Sequence, residues 1–129
     1  MSVWKIPNAR IIFVDTGAFA GKYNPNDSYR KEVLSCLELI DQYNLILVTS
    51  NAVVYETYTR ILHDTSNNVK ACIDFLEYIL KGKIIIYRGT ENDEKIAEKK
   101  IEKYNDKAEL TLVDALSFVL MDKNNILKA

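Results

Sequence analysis

Three acidic residues stand apart from the other carboxylates of this chain because each lies within or shortly after an apolar stretch. Asp15 directly follows the run 11–14, and Asp114 lies inside the apolar segment 110–121. Glu56 comes soon after a third such run. An unpaired carboxylate is costly in apolar surroundings, so each of these residues needs a partner. Carboxylates that meet need a cation, and hard oxygen ligands suit Mg²⁺ or Mn²⁺. The pattern therefore predicts an acidic metal site.

Each of the three acids also has an alternative role. Asp15 is a good N-cap for a helix that starts just after it. Glu56 stands four residues before Arg60, a spacing typical of a surface ion pair worth only about 0.3–0.5 kcal/mol. Asp114 follows Thr111 by three residues, which is the form of a capping box. Taken one at a time, the residues leave these alternatives open.

Other chemistries find little support in the composition. The chain has one histidine, so a Ser-His-Asp triad is not credible, and its four glycines form no phosphate-binding loop. Cys36 and Cys72 are too far apart for a zinc motif, and we expect both in the hydrophobic core. Two isolated cysteines favour a reduced, cytoplasmic setting. The net charge of −1 argues for no particular partner.

The elements that must position these acids alternate between strand and helix. Apolar runs at 11–14, 45–49 and 83–87 predict three strands buried on both faces, separated by segments with helical spacing. This alternation predicts one α/β domain over 1–129, a three-layer α/β/α arrangement with a central parallel sheet. Asp15 would then lie at the carboxyl edge of the sheet, where ligands bind. The inward face predicted for the helix over 69–80 consists of Val69, Cys72, Ile73, Leu76 and Leu80.

The two ends of the sequence give little information about targeting or fold. Residues 1–10 have no apolar signal-peptide core, and no stretch approaches the roughly 20 apolar residues of a membrane span. We expect 126–129 to begin a fourth strand that is cut short. A phosphatase-like or response-regulator-like domain also has Asp at strand ends, but its acid pair and later Lys are not clear here.

These residues resemble the PIN-domain family, and within it the small toxin-type ribonucleases of toxin–antitoxin pairs. The matching pieces are Val14-Asp15-Thr16 after the first strand, Glu56 after the second, and the segment 110–115 that opens the last helix. Gly17 is a mild departure, because family members often carry a polar residue there. Each motif is short, so their order and spacing carry the resemblance, which covers nearly the whole chain.

The resemblance implies a Mg²⁺- or Mn²⁺-dependent endoribonuclease that cleaves single-stranded RNA by metal-activated water. It also implies a small antitoxin partner, and we expect a homodimer. The family usually has a fourth acid in a segment after a last strand, and this sequence ends before that segment. Either the chain is truncated or the protein lacks the fourth acid, and in the second case a non-catalytic RNA- or protein-binding module is the alternative. The residues assigned by the resemblance are Asp15, Glu56 and Asp114 as metal ligands and catalytic acids, with Thr16 orienting Asp15 or contacting bound water, and Ser50 and Asn51 lining the pocket. Weaker candidates for RNA contacts are Lys22, Arg30, Lys31 and Arg60.

Overall fold

The computed structural model describes residues 10–82, 84–104 and 110–126. Within them, three strands alternate with six helices. The strands are β1 (Ile11–Phe13), β2 (Ile46–Ser50) and β3 (Ile84–Tyr87). The helices are α1 (Thr16–Tyr23), α2 (Arg30–Gln42), α3 (Asn51–Asp64), α4 (Val69–Leu80), α5 (Glu91–Tyr104) and α6 (Leu112–Lys123). The predicted α/β class is confirmed, whereas most of the proposed fourth strand, 127–129, lies outside the described residues.

The sheet has the order β1-β2-β3, and both pairs of neighbours are parallel. Phe13 pairs with Val48, and Val48 pairs in turn with Ile85. Parallel neighbours cannot be joined by a tight hairpin, so helices connect them. All three strands consequently end at the same edge of the sheet, where β1 leads into α1 and β2 leads into α3.

Residues with positive φ end three of the helical segments. Asn44 (φ 52°) follows α2, Asn67 (φ 69°) separates α3 from α4, and Gly82 (φ 78°) follows α4. Asparagine and glycine tolerate this left-handed conformation better than other residues do. The chain can therefore reverse direction at these points and start its next element.

The main core lies around Phe75 on α4, which is fully buried. Its ring meets the rings of Phe19 and Tyr23 edge-on, with centroids 5.2 Å and 5.7 Å away. The inward face predicted for α4 is wrong in part: Val69, Ile73 and Leu80 are exposed. Packing against α1 and α3 turns another face of α4 inward, and this face carries Ala71, Cys72, Phe75 and Ile79.

Two further expectations need correction. The strands are not buried on both faces throughout, since Ile46 and Ile85 are 40% and 49% exposed. Cys36 is exposed on α2 and only Cys72 is buried, so one of the two cysteines lies outside the core. The reason is that α2 buries no residue fully among those described. Over the same residues, no helix combines the length and apolar character needed to cross a bilayer.

A second, smaller core joins α5 to α6 through Ala97, Ala115, Leu116, Val119 and Leu120. The start of α5 is a capping box, in which the Thr90 hydroxyl accepts from the Asp93 N–H and the Asp93 carboxylate accepts from the Thr90 N–H. These bonds, led by the one from the Thr90 N–H, lower the pKa of Asp93. Lys123 on α6 lies 3.4 Å from the same carboxylate. Apolar packing and this ion pair thus place α6 beside α5.

The packing of α4 predicts different costs for two alanine substitutions on this helix. Phe75→Ala should lower the free energy of unfolding by about 3–5 kcal/mol, because it removes a buried ring and leaves a cavity that the surrounding core fills only in part. Leu80→Ala, at a side chain 79% exposed, should change it by no more than about 0.5 kcal/mol. Urea denaturation measures both. Equal losses for the two variants would contradict the observed orientation of α4.

Candidate active site

The ends of β1 and β2 are held together where their helices begin. The Val14 N–H donates to the Val48 carbonyl at 2.8 Å, and the Thr49 hydroxyl donates to the Val14 carbonyl at 2.8 Å. Thr49 is fully buried, so its hydroxyl needs this internal acceptor. The two strand ends therefore start α1 and α3 side by side.

Asp15 and Ser50 cap these two helices. The Asp15 carboxylate accepts from the Ala18 N–H at 3.3 Å, and the Ser50 hydroxyl accepts from the Val53 N–H at 3.1 Å. Each cap satisfies one of the amide donors that the first turn of a helix leaves free. The N-cap role for Asp15 is confirmed through Oδ1, and the residue also lines the pocket described below.

Glu56 is fixed from the neighbouring helix. The Thr16 hydroxyl, at the start of α1, donates to Glu56 Oε1 at 2.6 Å. Thr16 is only 7% exposed, so the bond lies partly out of water. Thr16 thus orients Glu56, and its predicted role toward Asp15 or bound water stays a prediction. The alternative ion pair of Glu56 with Arg60 is not formed, because Arg60 contacts Asp64 instead, at 3.5 Å.

Asp114 comes to the same place from α6, which packs against α3 as well as α5. Half of the expected capping box is present: the Asp114 N–H donates to the Thr111 hydroxyl at 3.1 Å. Within the part of the chain that the structure describes, the Asp114 carboxylate accepts no hydrogen bond. The Asp114 side chain is exposed. The Asp15 and Glu56 carboxylates, in contrast, each accept a hydrogen bond through one oxygen.

The three carboxylates line one pocket of about 320 Å³. Asp15 reaches it from the N-cap of α1, Glu56 from α3 and Asp114 from α6, which are far apart in sequence. Arg60 is the basic residue in the same lining, and Phe13 and Met121 form part of the apolar wall. Across residues 10–82, 84–104 and 110–126, no three acidic, histidine or cysteine side chains are close enough to hold one ion together. The acids therefore share a pocket without forming a closed cage.

Comparisons with known proteins agree with this architecture. No protein-family model matches the chain, and no curated protein matches it in sequence. Among solved structures, it is similar to VapC20 of Mycobacterium tuberculosis, described as a toxin that cleaves the sarcin–ricin loop. The TM-score is 0.78 and the identity 26%, over 89% of this chain and 84% of VapC20. The chain has a PIN-domain fold. The resemblance read from the sequence is confirmed.

The acidic pocket in this PIN-domain fold raises the question whether its side chains could hold Mg²⁺ or Mn²⁺. Their chemistry fits, since carboxylate oxygens are the ligands that these ions prefer. Within the described residues, no three of these side chains are close enough to hold one ion together, so an ion bound here would take part of its coordination from water, as Mg²⁺ usually does.

The two further residues expected to line the pocket, Ser50 and Asn51, lie elsewhere. Ser50 is fully buried beneath α3, and the Asn51 side chain accepts from the Gly89 N–H at 3.2 Å. Neither is among the residues that line the acid pocket. Both instead fix the start of α3, Ser50 to its own first turn and Asn51 to the loop after β3. Their contribution to the site is to hold the helix that carries Glu56.

Of the four basic candidates, only Arg60 lines the acid pocket. The Lys22 ammonium lies 3.5 Å from the centroid of the Tyr78 ring, a cation–π contact between α1 and α4. The Arg30 guanidinium donates to the Lys22 carbonyl. Lys31 is exposed on α2. An RNA role for these three residues stays a prediction.

Ser117, a largely buried residue that also lines the pocket, was not predicted from the sequence. It follows Asp114 by three residues on α6, and positions three apart share a helix face. A polar residue one turn after an acid, in an otherwise apolar helix, was the signal that could have found it.

The Thr16–Glu56 bond predicts a measurable coupling across the pocket. Thr16→Val preserves the shape but removes the donor, and should lower the free energy of unfolding by about 1.5–3 kcal/mol, the usual contribution of a hydrogen bond to a charged group. Thr59→Val, which removes an exposed hydroxyl that bonds only to its own helix at Tyr55, is the control. A double-mutant cycle of Thr16→Val with Glu56→Ala isolates the pair. A coupling energy near zero would contradict the bond.

Proposed function

We propose that this protein is a divalent-metal-dependent endoribonuclease, with Asp15, Glu56 and Asp114 as its metal-binding and catalytic acids. One observation carries the proposal: the fold gathers these three carboxylates from α1, α3 and α6 into one pocket. The likeness to VapC20, described as an RNA-loop-cleaving toxin, supports it. The reaction would be hydrolysis of a phosphodiester bond in unpaired RNA.

The basic and acidic residues of the pocket would have different roles in the reaction. A pocket with three carboxylates repels a phosphodiester anion unless positive charge offsets it. Arg60 supplies one such charge at the pocket wall and can donate two parallel hydrogen bonds to phosphate oxygens. A divalent ion held by the acids would add Lewis-acid stabilisation of the phosphate and make water more acidic. The uncommitted carboxylate oxygens of Asp15, Glu56 and Asp114 can orient water and accept its proton.

The role of a toxin follows from the same likeness. We propose that the protein acts on cellular RNA and that a small antitoxin protein holds it inactive. Because VapC20 is described as cleaving the sarcin–ricin loop, that loop is the first RNA to test beside mixed unpaired RNA. Addition of the antitoxin to the cleavage reaction should stop it, and a partner without this effect would not be the antitoxin.

Removal of two of the acids should abolish cleavage. Asp15→Asn combined with Asp114→Asn should lower the rate with Mn²⁺ by at least about 100-fold, the scale of losing a general base. Asparagine caps a helix as well as aspartate does, so the variant should fold normally. Asp122→Asn, on the same helix as Asp114 and paired with Lys100 at 3.4 Å, is the matched control.

The outcomes of this experiment separate the proposals. Unchanged cleavage in the double variant would exclude these acids from the reaction. A wild-type protein that binds RNA but does not cleave it, under Mg²⁺ or Mn²⁺, would favour the non-catalytic binding module. The openly spaced carboxylates are the observation on which that second candidate rests.

Metal binding can be measured without any reaction. Titration of the protein with Mn²⁺ in a calorimeter should give a binding signal that Asp15→Asn weakens by about tenfold, since one charged ligand is replaced by a neutral one. The Asp122→Asn protein should bind as the wild type does. A wild-type protein without a Mn²⁺ signal would contradict the metal site.

A further inference from the structure

A second depression lies beside the acid pocket and runs along the outer side of α3. Its volume is about 610 Å³, and it shares Glu56, Arg60 and Val113 with the acid pocket. The additional lining comes from successive turns of α3, with Tyr55, Thr59 and His63 among them. The two depressions therefore form one continuous surface, and a chain that enters the acid pocket can extend into the second.

Tyr55 gives this depression an aromatic face. Its side chain is 63% exposed although it is one of the larger apolar groups of the protein. Ala52 and Val113 flank it, so the surroundings of the ring are apolar. Every nucleobase has a π-face, and an exposed aromatic ring beside a backbone-binding group is the usual platform for unpaired bases.

Arg60 lies at the boundary between the two depressions. It contacts Asp64 through Nε, while His63 Nδ1 lies 3.1 Å from the other oxygen of that carboxylate. The hydrogen bond from His63, followed by that from Arg60, lowers the pKa of Asp64. The contact with Asp64, four residues further along α3, directs the Arg60 side chain along the helix. Within the described residues, the terminal nitrogens of the guanidinium have no partner, and they are available to a phosphate.

We propose that the second depression is a nucleobase subsite: an unpaired base next to the scissile phosphate stacks on Tyr55, and the intervening phosphate contacts Arg60. The inference rests on the proposed ribonuclease function. Tyr55 and Arg60 are five residues apart, about 7.5 Å along the helix axis, which leaves room for one nucleotide between ring and cation. Shape, charge and continuity with the acid pocket all favour an RNA strand as the occupant.

The test measures binding of a short unpaired RNA of mixed sequence to the full chain carrying Asp114→Asn, which prevents cleavage. Tyr55→Ala should weaken binding by about tenfold or more, as loss of a stacking ring does. Tyr55→Phe, which retains the ring, should restore most of the affinity. Tyr43→Ala, at another exposed tyrosine beyond the end of α2, should have no effect.

RNAs with one abasic nucleotide identify the base. One abasic position should weaken binding to the parent protein as much as Tyr55→Ala does, and cause no further loss when combined with that variant. Arg60→Ala should lower the salt dependence by about one ion, because it removes one phosphate contact.

Three results would overturn the subsite. Equal binding by the parent and the Tyr55→Ala variant excludes stacking on this ring. A change of molecular mass in solution on Tyr55→Ala, measured by light scattering, assigns the ring to a contact between copies. A parent protein that binds no RNA at all removes the ribonuclease function and the subsite together, whereas RNA cleavage by wild type with unaltered binding by Tyr55→Ala removes the subsite alone.

Discussion

Parallel pairing of β1 with β2 is the constraint on which the site depends. Because the two strands run in the same direction, α1 and α3 must both begin at one edge of the sheet. The Thr49 hydroxyl and the Val14 N–H fasten the strand ends at that edge. The Thr16–Glu56 bond, between residues 40 positions apart, then joins the two helices directly. One strand pairing thus fixes two acids, and the docking of α6 adds the third.

Much of the fold could be predicted from local signals. Runs such as 11–14 and residues such as Asn44 and Gly82 specify where strands lie and where helices end, because the signal and the structure share the same few residues. The face of α4 could not be predicted in this way. This helix has apolar residues on more than one side. Phe75 is buried because its ring packs against Phe19 and Tyr23 on α1, which is distant in sequence. Leu80 is exposed.

The candidate site was also predictable from the sequence only in part. That Asp15, Glu56 and Asp114 approach one another follows from their order on an alternating chain, although their role as ligands stays a proposal. Which partner each side chain chooses depends on crossover geometry that no short motif encodes. Arg60 has an acid four residues away on either side, Glu56 and Asp64. Spacing alone does not predict which of the two forms an ion pair with it. Only the hydrogen bond from Thr16 shows why Glu56 turns to the pocket instead.

The order of the three acids along the chain also bears on when the site comes into existence. During synthesis, domains acquire structure from the N-terminal side, and contacts between distant residues form late because the intervening loop must close first. A nascent chain that already contains Asp15 and Glu56 lacks the carboxylate of α6 until the ribosome has added Asp114. A nascent chain that is too short to include α6 therefore cannot form the pocket, because it carries only two of the three carboxylates that line it.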